Sequence, residues 1–335
     1  MTTTGLLLAV DGGQTSTKSI LASIDGTVIA AGRGGPSDHF HIGGGIEKNR
    51  LAIHEAIESA LAAAGVRPSE IAAIGLGLTG APPKGDQNPA VKEIVLEALP
   101  HLNPNQIVVE PDYRTNLGGA SADKPGVVLI AGGGCIAYGV TGDGREAISG
   151  GFGYLIGDEG SAFDIGVRAI EAACKASDAR GPSTALELII QDHFGLSKIR
   201  EITRVVYRAG FSREQISLLT PKVVKAAEDG DREAACILSN CAREVALTAL
   251  GVIRQLYEPG ETAMVFLTGG VFNAGSLVRE PFEAALHAEW PEAQLLAPRF
   301  PPVAGALILA ARAAGRAPDA AWLQNVESTL PGMRP

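Results

Sequence analysis

Apolar residues recur along this chain in two rhythms. Short apolar runs that stop at glycine read as strands, and apolar positions three or four apart read as helices. Leu6 to Val10 runs into Asp11-Gly12-Gly13, and Ser19 to Ile24 resumes and closes at Asp25-Gly26, a hairpin signal. Residues 5–33 are therefore expected to form two or three strands with Gly-rich turns, followed by a loop rich in Gly and His from Pro36 to Lys48. Helical spacing over Glu47 to Ala64 (Leu51, Ile53, Ala56, Ile57, Ala60, Leu61) stops at Gly65. Ile71 to Leu78 reads as a buried strand running into Thr79-Gly80, and Gln106 to Glu110 as another, with Pro111-Asp112 at its end.

The same order then begins again. Val127 to Ala131 is a strand, Gly132-Gly133-Gly134 a turn, Ile136 to Val140 a strand, Gly142 to Gly144 a turn, and a third strand or loop follows. Helical stretches run from Gly160 to about Leu250, and Thr262 to Phe272 supplies a further strand ending in a glycine turn. Pro301 to Arg316 reads as a final helix that packs back toward the N-terminal part, whereas Ala317 to Pro335 carries no usable signal. This is a duplicated α/β unit inferred from element order, with the boundary near Ala120 to Pro125. The expected domains are residues 1–122, 123–300 and a C-terminal helix and tail, 301–335.

Two of these strand-turn segments carry candidate chemistry, and as a matched pair they point to a nucleotide gripped between two lobes. Glycines let the chain turn sharply and present backbone N–H groups to an anion. In the first segment Asp11 can hold a Mg²⁺ ion through water, Gly12 and Gly13 allow close approach of oxygen atoms, and Gln14, Thr15, Thr17 and Lys18 surround the turn as donors. A tight hairpin is the plain alternative for either segment taken singly. Neither has the spacing of a P-loop or of a dinucleotide fingerprint.

Composition narrows the partners. A length of 335 residues makes about two domains the natural expectation. The net charge of −9 argues against nucleic acid, so an anionic nucleotide must be held by local backbone dipoles and a metal ion. The first residues contain no basic stretch of the signal-peptide kind, and no window of about 20 predominantly apolar residues stands out, so a cytoplasmic protein without a membrane span is expected. Of the four cysteines, none in C-x-x-C spacing, Cys174, Cys236 and Cys241 read as small buried hydrophobes, while Cys135 ends the second glycine turn. His39-Phe40-His41 offers two imidazoles but no third metal ligand, which favours a loop that touches substrate or nothing.

The ordered series Asp11 to Lys18, Gly75 to Gly80, Pro111-Asp112, Leu129 to Gly134, Gly150 to Ser161, Leu267 to Phe272 and Pro302 to Ala306 resembles the N-acetylglucosamine kinase group of the BadF/BadG-type ATPases. That group belongs to the actin, Hsp70 and hexokinase superfamily, and Gly157-Asp158-Glu159-Gly160-Ser161 is the most specific piece of the match. The resemblance implies an α/β fold of two ribonuclease-H-like lobes closing over Mg-ATP and a sugar, in a homodimer. It places Asp11, Gly12, Gly13 and Thr15 with Gly132, Gly133 and Gly134 at the phosphates, and Gly269 and Gly270 at adenosine. It makes Asp112 the base that takes the proton of the sugar O6 hydroxyl, as phosphoryl transfer requires. Asp158 matches a residue that binds sugar hydroxyls, with Glu159 and Ser161 beside it. Thr79 matches a hydroxyl near the sugar, Asp38 and His39 a loop that carries an amide in the acetylglucosamine enzymes, and Cys135 is expected on the substrate side with them.

Plain readings stand beside these. Asp112 is equally suited to an N-cap, Glu159 to helix-end chemistry and Gly269-Gly270 to a turn after a buried strand. Where the family commonly carries Gly-Thr-Gly-Ser-Asn, this chain has Gly132-Gly133-Gly134-Cys135-Ile136, losing two hydroxyls and an amide. Such losses in a pocket that pairs substrate hydroxyls are expected to alter sugar choice, which leaves N-acetylglucosamine, glucosamine or another hexose open. The alternatives to a sugar kinase are an ATP-hydrolysing activator of the 2-hydroxyacyl-CoA dehydratase type and a sugar sensor without turnover.

Overall fold

The computed structural model of the chain describes residues 5–40, 44–81 and 89–330. It divides into two compact units, residues 1–125 with 297–335, and residues 126–296. The breaks fall at Pro125 and Leu296, not at 122 and 300, because the expected linker is still part of the first unit. Ser121 Oγ donates to the Leu117 carbonyl at 2.8 Å, and Ala122 and Asp123 turn the chain back with left-handed φ values of 51° and 68°.

The first unit is built on a five-stranded mixed sheet. Strands β1 (Leu6–Gly12), β2 (Thr17–Ser23) and β3 (Val28–Gly34) form an antiparallel meander, and β4 (Ile71–Leu78) and β5 (Ile107–Pro111) join parallel, giving the order β3-β2-β1-β4-β5. Helix α1 (Gly45–Ala64) begins inside the expected loop and ends, as expected, at a left-handed Gly65. Alternation along β1 sends Leu8 and Val10 into a core with Ile53 and Ile57 of α1, and Leu7 and Ala9 into a second core on the other face. Helix α2 (Pro89–Ala98) lies between β4 and β5 in sequence, and α3 (Asp112–Ala120) follows β5 directly.

The second unit repeats the topology. Strands β6 (Gly126–Ala131), β7 (Cys135–Val140) and β8 (Glu146–Gly150) form an antiparallel meander, while β9 (Met264–Thr268) pairs parallel with β6 and β10 (Gln294–Leu296) with β9. The order β10-β9-β6-β7-β8 is that of the first sheet, strand for strand. Helices α4 (Ala162–Ser177), α5 (Leu186–Phe194), α6 (Ile202–Val206), α7 (Glu214–Ser217), α8 (Thr220–Glu228) and α9 (Arg232–Leu256) fill the long insertion before β9, and α10 (Ser276–Glu289) precedes β10.

Helix α9 corrects two expectations. Its 25 residues are long and apolar enough to cross a bilayer, although no such window was expected; 61% of its most apolar 18-residue window is buried inside the unit, where Leu238, Val245 and Val252 belong to the main core. Cys241 lies on this buried stripe, but Cys236 is exposed beside Asn240 one turn on, and Cys174 of α4 is only half-buried. Helical period, not the small size of cysteine, decides which face each thiol occupies.

The chain returns to complete the first unit. Helix α11 (Pro302–Ala313) packs on β1, β4 and α3, and Gly75 makes the approach possible, since a Cβ there would stand 2.1 Å from the Ala306 carbonyl oxygen. The tail read as featureless contains α12 (Ala320–Thr329). Asp319 caps it by accepting from the Trp322 N–H at 2.8 Å, and the buried Trp322 indole donates to the Ile24 carbonyl at 3.2 Å.

Candidate active site

In the first unit the site begins where β1 and β4 end. Asp11 pairs in register with Lys18 across the hairpin, and the turn is closed by the Gly13 N–H donating to Ser16 O at 3.2 Å. The Gly12 carbonyl accepts from the Thr79 N–H at 3.0 Å, so the turn and the end of β4 are fixed to each other. Thr79 Oγ1 in turn donates to Asp112 Oδ2 at 2.7 Å. Asp112 is the first residue of α3 and Pro111 holds the cap position, so capping does not account for the carboxylate. Gln14 and Lys18 are half-buried and Thr15 is exposed.

Electrostatics single out the two carboxylates. Burial, then the charge of Asp112, push Asp11 up to about 7, against the pull of Lys18. Burial likewise raises Asp112, opposed by the Thr79 hydroxyl, the Tyr113 N–H and the nearby His39. Two carboxylates that resist ionisation in a partly dry place fit a hard divalent cation. Mg²⁺ takes one or two carboxylates and keeps waters and phosphate oxygens for the rest. Among the described residues no group of three or more His, Cys, Asp or Glu could hold a metal ion.

Asp38 and His39 occupy the loop before α1. Asp38 accepts from Lys48 Nζ and from the His39 N–H, both at 2.9 Å, and Asn49 Nδ2 donates to the Asp38 carbonyl at 2.5 Å. Burial would raise this carboxyl, but Lys48 and the His39 N–H outweigh it and hold it below the ordinary range. His39 lies against Gly80, where a Cβ would meet its Nδ1 at 2.5 Å. His41 lies outside the described residues.

The second unit gathers its own cluster at the β6–β7 turn. The Gly132 N–H donates to Gly134 O at 2.9 Å, and the Gly132 carbonyl accepts from Ala162 N at 2.8 Å, which joins the turn to the start of α4. Space beside Gly132 and Gly133 is open, whereas a Cβ on Gly134 would stand 2.9 Å from both Asp158 carboxylate oxygens. Asp158 is 5% exposed, takes a left-handed φ of 61°, and accepts from the Cys135 N–H at 3.1 Å. The Cys135 thiol, expected at the substrate, is instead packed in the core, where burial pushes it up to about 12, so this residue offers Asp158 its backbone and not its side chain. Ser161 is the N-cap of α4, accepting from Asp164 N at 3.2 Å, and Glu159 is exposed. Gly269, with φ of 98°, follows β9 so closely that a Cβ would stand 2.2 Å from Ala131 O, while Gly270 has open space.

The structure therefore brings Asp11, Lys18, Thr79, Asp112 and His39 together in one unit, and Gly134, Cys135 and Asp158 in the other. It also adds a residue that no motif pointed to. Arg213, just before α7, stands with Nη1 3.6 Å from Asp158 Oδ2, although 55 positions separate them in the chain. Its only sequence signal was a cation in an amphipathic helical region, which is indistinguishable from a solvated surface charge.

Two α/β units of ribonuclease-H-like strand order, each with a glycine turn beside an aspartate, half-buried in the first and buried in the second, define a protein of the actin-like ATPase fold class. The chain belongs to the BadF/BadG/BcrA/BcrD ATPase family, whose sequence profile matches residues 8–310. An N-acetylmuramic acid/N-acetylglucosamine kinase of Clostridium acetobutylicum is 31% identical over 305 residues, covering 91% of this chain and 97% of that protein. An N-acetyl-D-glucosamine kinase of Dictyostelium discoideum is 25% identical over 317 residues, with the same two shares covered. Among solved structures, a protein of Chromobacterium violaceum assigned as an N-acetylglucosamine kinase is 30% identical, with a TM-score of 0.73 over 91% of this chain and 99% of its own.

Proposed function

We propose that this chain is an ATP-dependent amino-sugar kinase that phosphorylates N-acetylglucosamine or glucosamine at O6. The observation that carries the reading is the Asp112 carboxylate, held by the Thr79 hydroxyl at 2.7 Å and raised in proton affinity by burial. A base that must take a proton from a sugar hydroxyl as phosphoryl transfer proceeds works best with its pKa moved toward the working pH. With Thr79 donating to Oδ2 and fixing its direction, the Asp112 carboxylate receives the O6 proton while the new O6–P bond forms and the bond to ADP breaks; the proton then passes to solvent.

The Gly12–Gly13 turn, Gln14, Thr15 and Lys18 are assigned to phosphate, with Gly132, Gly133 and Gly134 in the same role and Gly269 and Gly270 at adenosine. Asp11 would hold Mg²⁺ through water. When bound, the ion supplies charge neutralisation at the phosphates that are transferred. Asp158, Thr79, Asp38 and His39 are assigned to the sugar, and the Lys48 partnership keeps Asp38 an acceptor there. A cytoplasmic location, where ATP is available, and a homodimer go with this reading.

The test is ADP release measured across N-acetylglucosamine, glucosamine, N-acetylmuramic acid and neutral hexoses, with Asp112→Asn beside the wild type. One preferred amino sugar is expected, with kcat falling about a thousandfold in the variant. A flat panel with only sugar-independent hydrolysis would move the reading to an ATP-hydrolysing activator.

A further inference from the structure

Asp158 sits in an expensive position. It is buried, its backbone is left-handed although it is not glycine, and its carboxylate presses on the space that Gly134 leaves empty. One oxygen is anchored by the Cys135 N–H, and the other faces Arg213, whose side chain is itself 18% exposed. The guanidinium carbon also lies 5.4 Å from the centre of the Tyr154 ring, and that ring packs edge-on to Phe163 of α4 with centroids 5.1 Å apart. Arg213 thus joins the carboxylate to the glycine-rich segment 150–157 and, through Tyr154, to the first turn of α4.

A buried carboxylate stays ionised only where a counter-charge compensates lost hydration, and a planar guanidinium can pair with it and stack on an aromatic ring at once. A lysine can supply the charge but not the planar group that lies over the ring. Had Asp158 only to cap the turn, an amide or a water would serve; a dedicated cation at the residue preceding α7 serves a carboxylate that acts as an acceptor of fixed direction.

We propose that Arg213 is a positioning residue for acceptor recognition: its guanidinium compensates the carboxylate charge and holds Asp158 aimed so that Asp158 can take hydrogen bonds from sugar hydroxyls. This rests on the amino-sugar kinase reading. The effect belongs to sugar binding and not to nucleotide binding or to the chemical step.

The experiment is steady-state kinetics of the full chain with sugar and ATP varied separately, for wild type, Arg213→Met and Arg213→Lys, with melting curves for each. Arg213→Met is expected to raise the sugar KM about tenfold or more, to change kcat less, and to leave the ATP KM within about twofold. Arg213→Lys should fall between it and the wild type. A purely structural role would instead lower the melting midpoint and the active fraction and leave both KM values alone. Wild-type sugar KM in a folded Arg213→Met variant, or ATP and sugar KM rising in parallel, overturns the assignment. Should the methionine variant fail to fold, a lysine variant with wild-type sugar KM overturns it and a raised one upholds it. A wild type without sugar-dependent turnover refutes the kinase reading, whereas turnover that ignores Arg213 refutes this inference alone.

Discussion

Asp11→Asn should make the metal-free protein more stable while removing its turnover. Burial and the neighbouring Asp112 raise the Asp11 carboxyl from 3.8 to about 7. At 1.36 kcal/mol per pH unit, keeping it ionised in the folded chain costs about 4 kcal/mol as an upper bound. Water reaching the half-buried side chain, and the loss of a partner for Lys18 in the variant, reduce the expected gain to about 2 kcal/mol. The sign follows from where the protons are. Between 3.8 and about 7 the folded wild type holds a proton that the unfolded chain has released, so wild-type stability falls as pH rises through that window. The amide has no such slope. In chelator-containing buffer the variant should melt about 5 °C above the wild type at pH 8, with the difference vanishing near pH 3.5. A variant less stable than wild type at pH 8, or a difference that does not change with pH, would refute the account of Asp11 as a carboxylate ionised against its surroundings.

Three further outcomes follow from the same geometry. Thr79→Val removes the donor to Asp112, which raises that carboxyl further; the acid limb of kcat/KM should move to higher pH and kcat at pH 7 fall about tenfold, and an unmoved limb would disconnect Thr79 from the proposed base. Gly269→Ala forces a Cβ to 2.2 Å from Ala131 O at a φ of 98°, so about 3 kcal/mol should be lost in denaturant titration and the ATP KM should rise; a neutral substitution would show that β9 is free to shift. Iodoacetamide at pH 8 should label Cys236 first by peptide mass mapping, leaving Cys135 and Cys241, both buried and pushed up to about 12, unlabelled until the protein unfolds. Early labelling of Cys135 would mean that the β6–β7 turn opens readily.

What could be read from residue order was whatever repeats locally. Apolar runs stopped by glycine located β1, β4 and β6 to within a residue or two, because a buried strand between helices needs both faces apolar and a turn at its end. The glycine turns and their aspartates were equally plain, since close backbone approach admits few residue types. What escaped depends on distance or on short signals. Helix α12 rests on one cap, Asp319, and one anchor, Trp322, whose meaning appears only when Gly26 and Ile24 are there to receive the ring. Arg213 acquires its role from a carboxylate 55 residues earlier. Cys135 shows the limit in the other direction: its place in the motif was legible, but that its thiol is turned into the core while its N–H serves Asp158 is a matter of strand pleat.

The discontinuity of the first unit has a consequence for how the protein is made. Residues 126–296 form a complete unit of their own, while the face of β1 and β4 carrying Leu7, Ala9 and Ala73 is covered by Val303, Leu307 and Trp322. During synthesis the strands that emerge first therefore wait, with one apolar face open, until the last helices clear the ribosome. The unit that is second along the chain is the first able to finish folding, so the nascent N-terminal sheet is the part that chaperones or rapid elongation must protect.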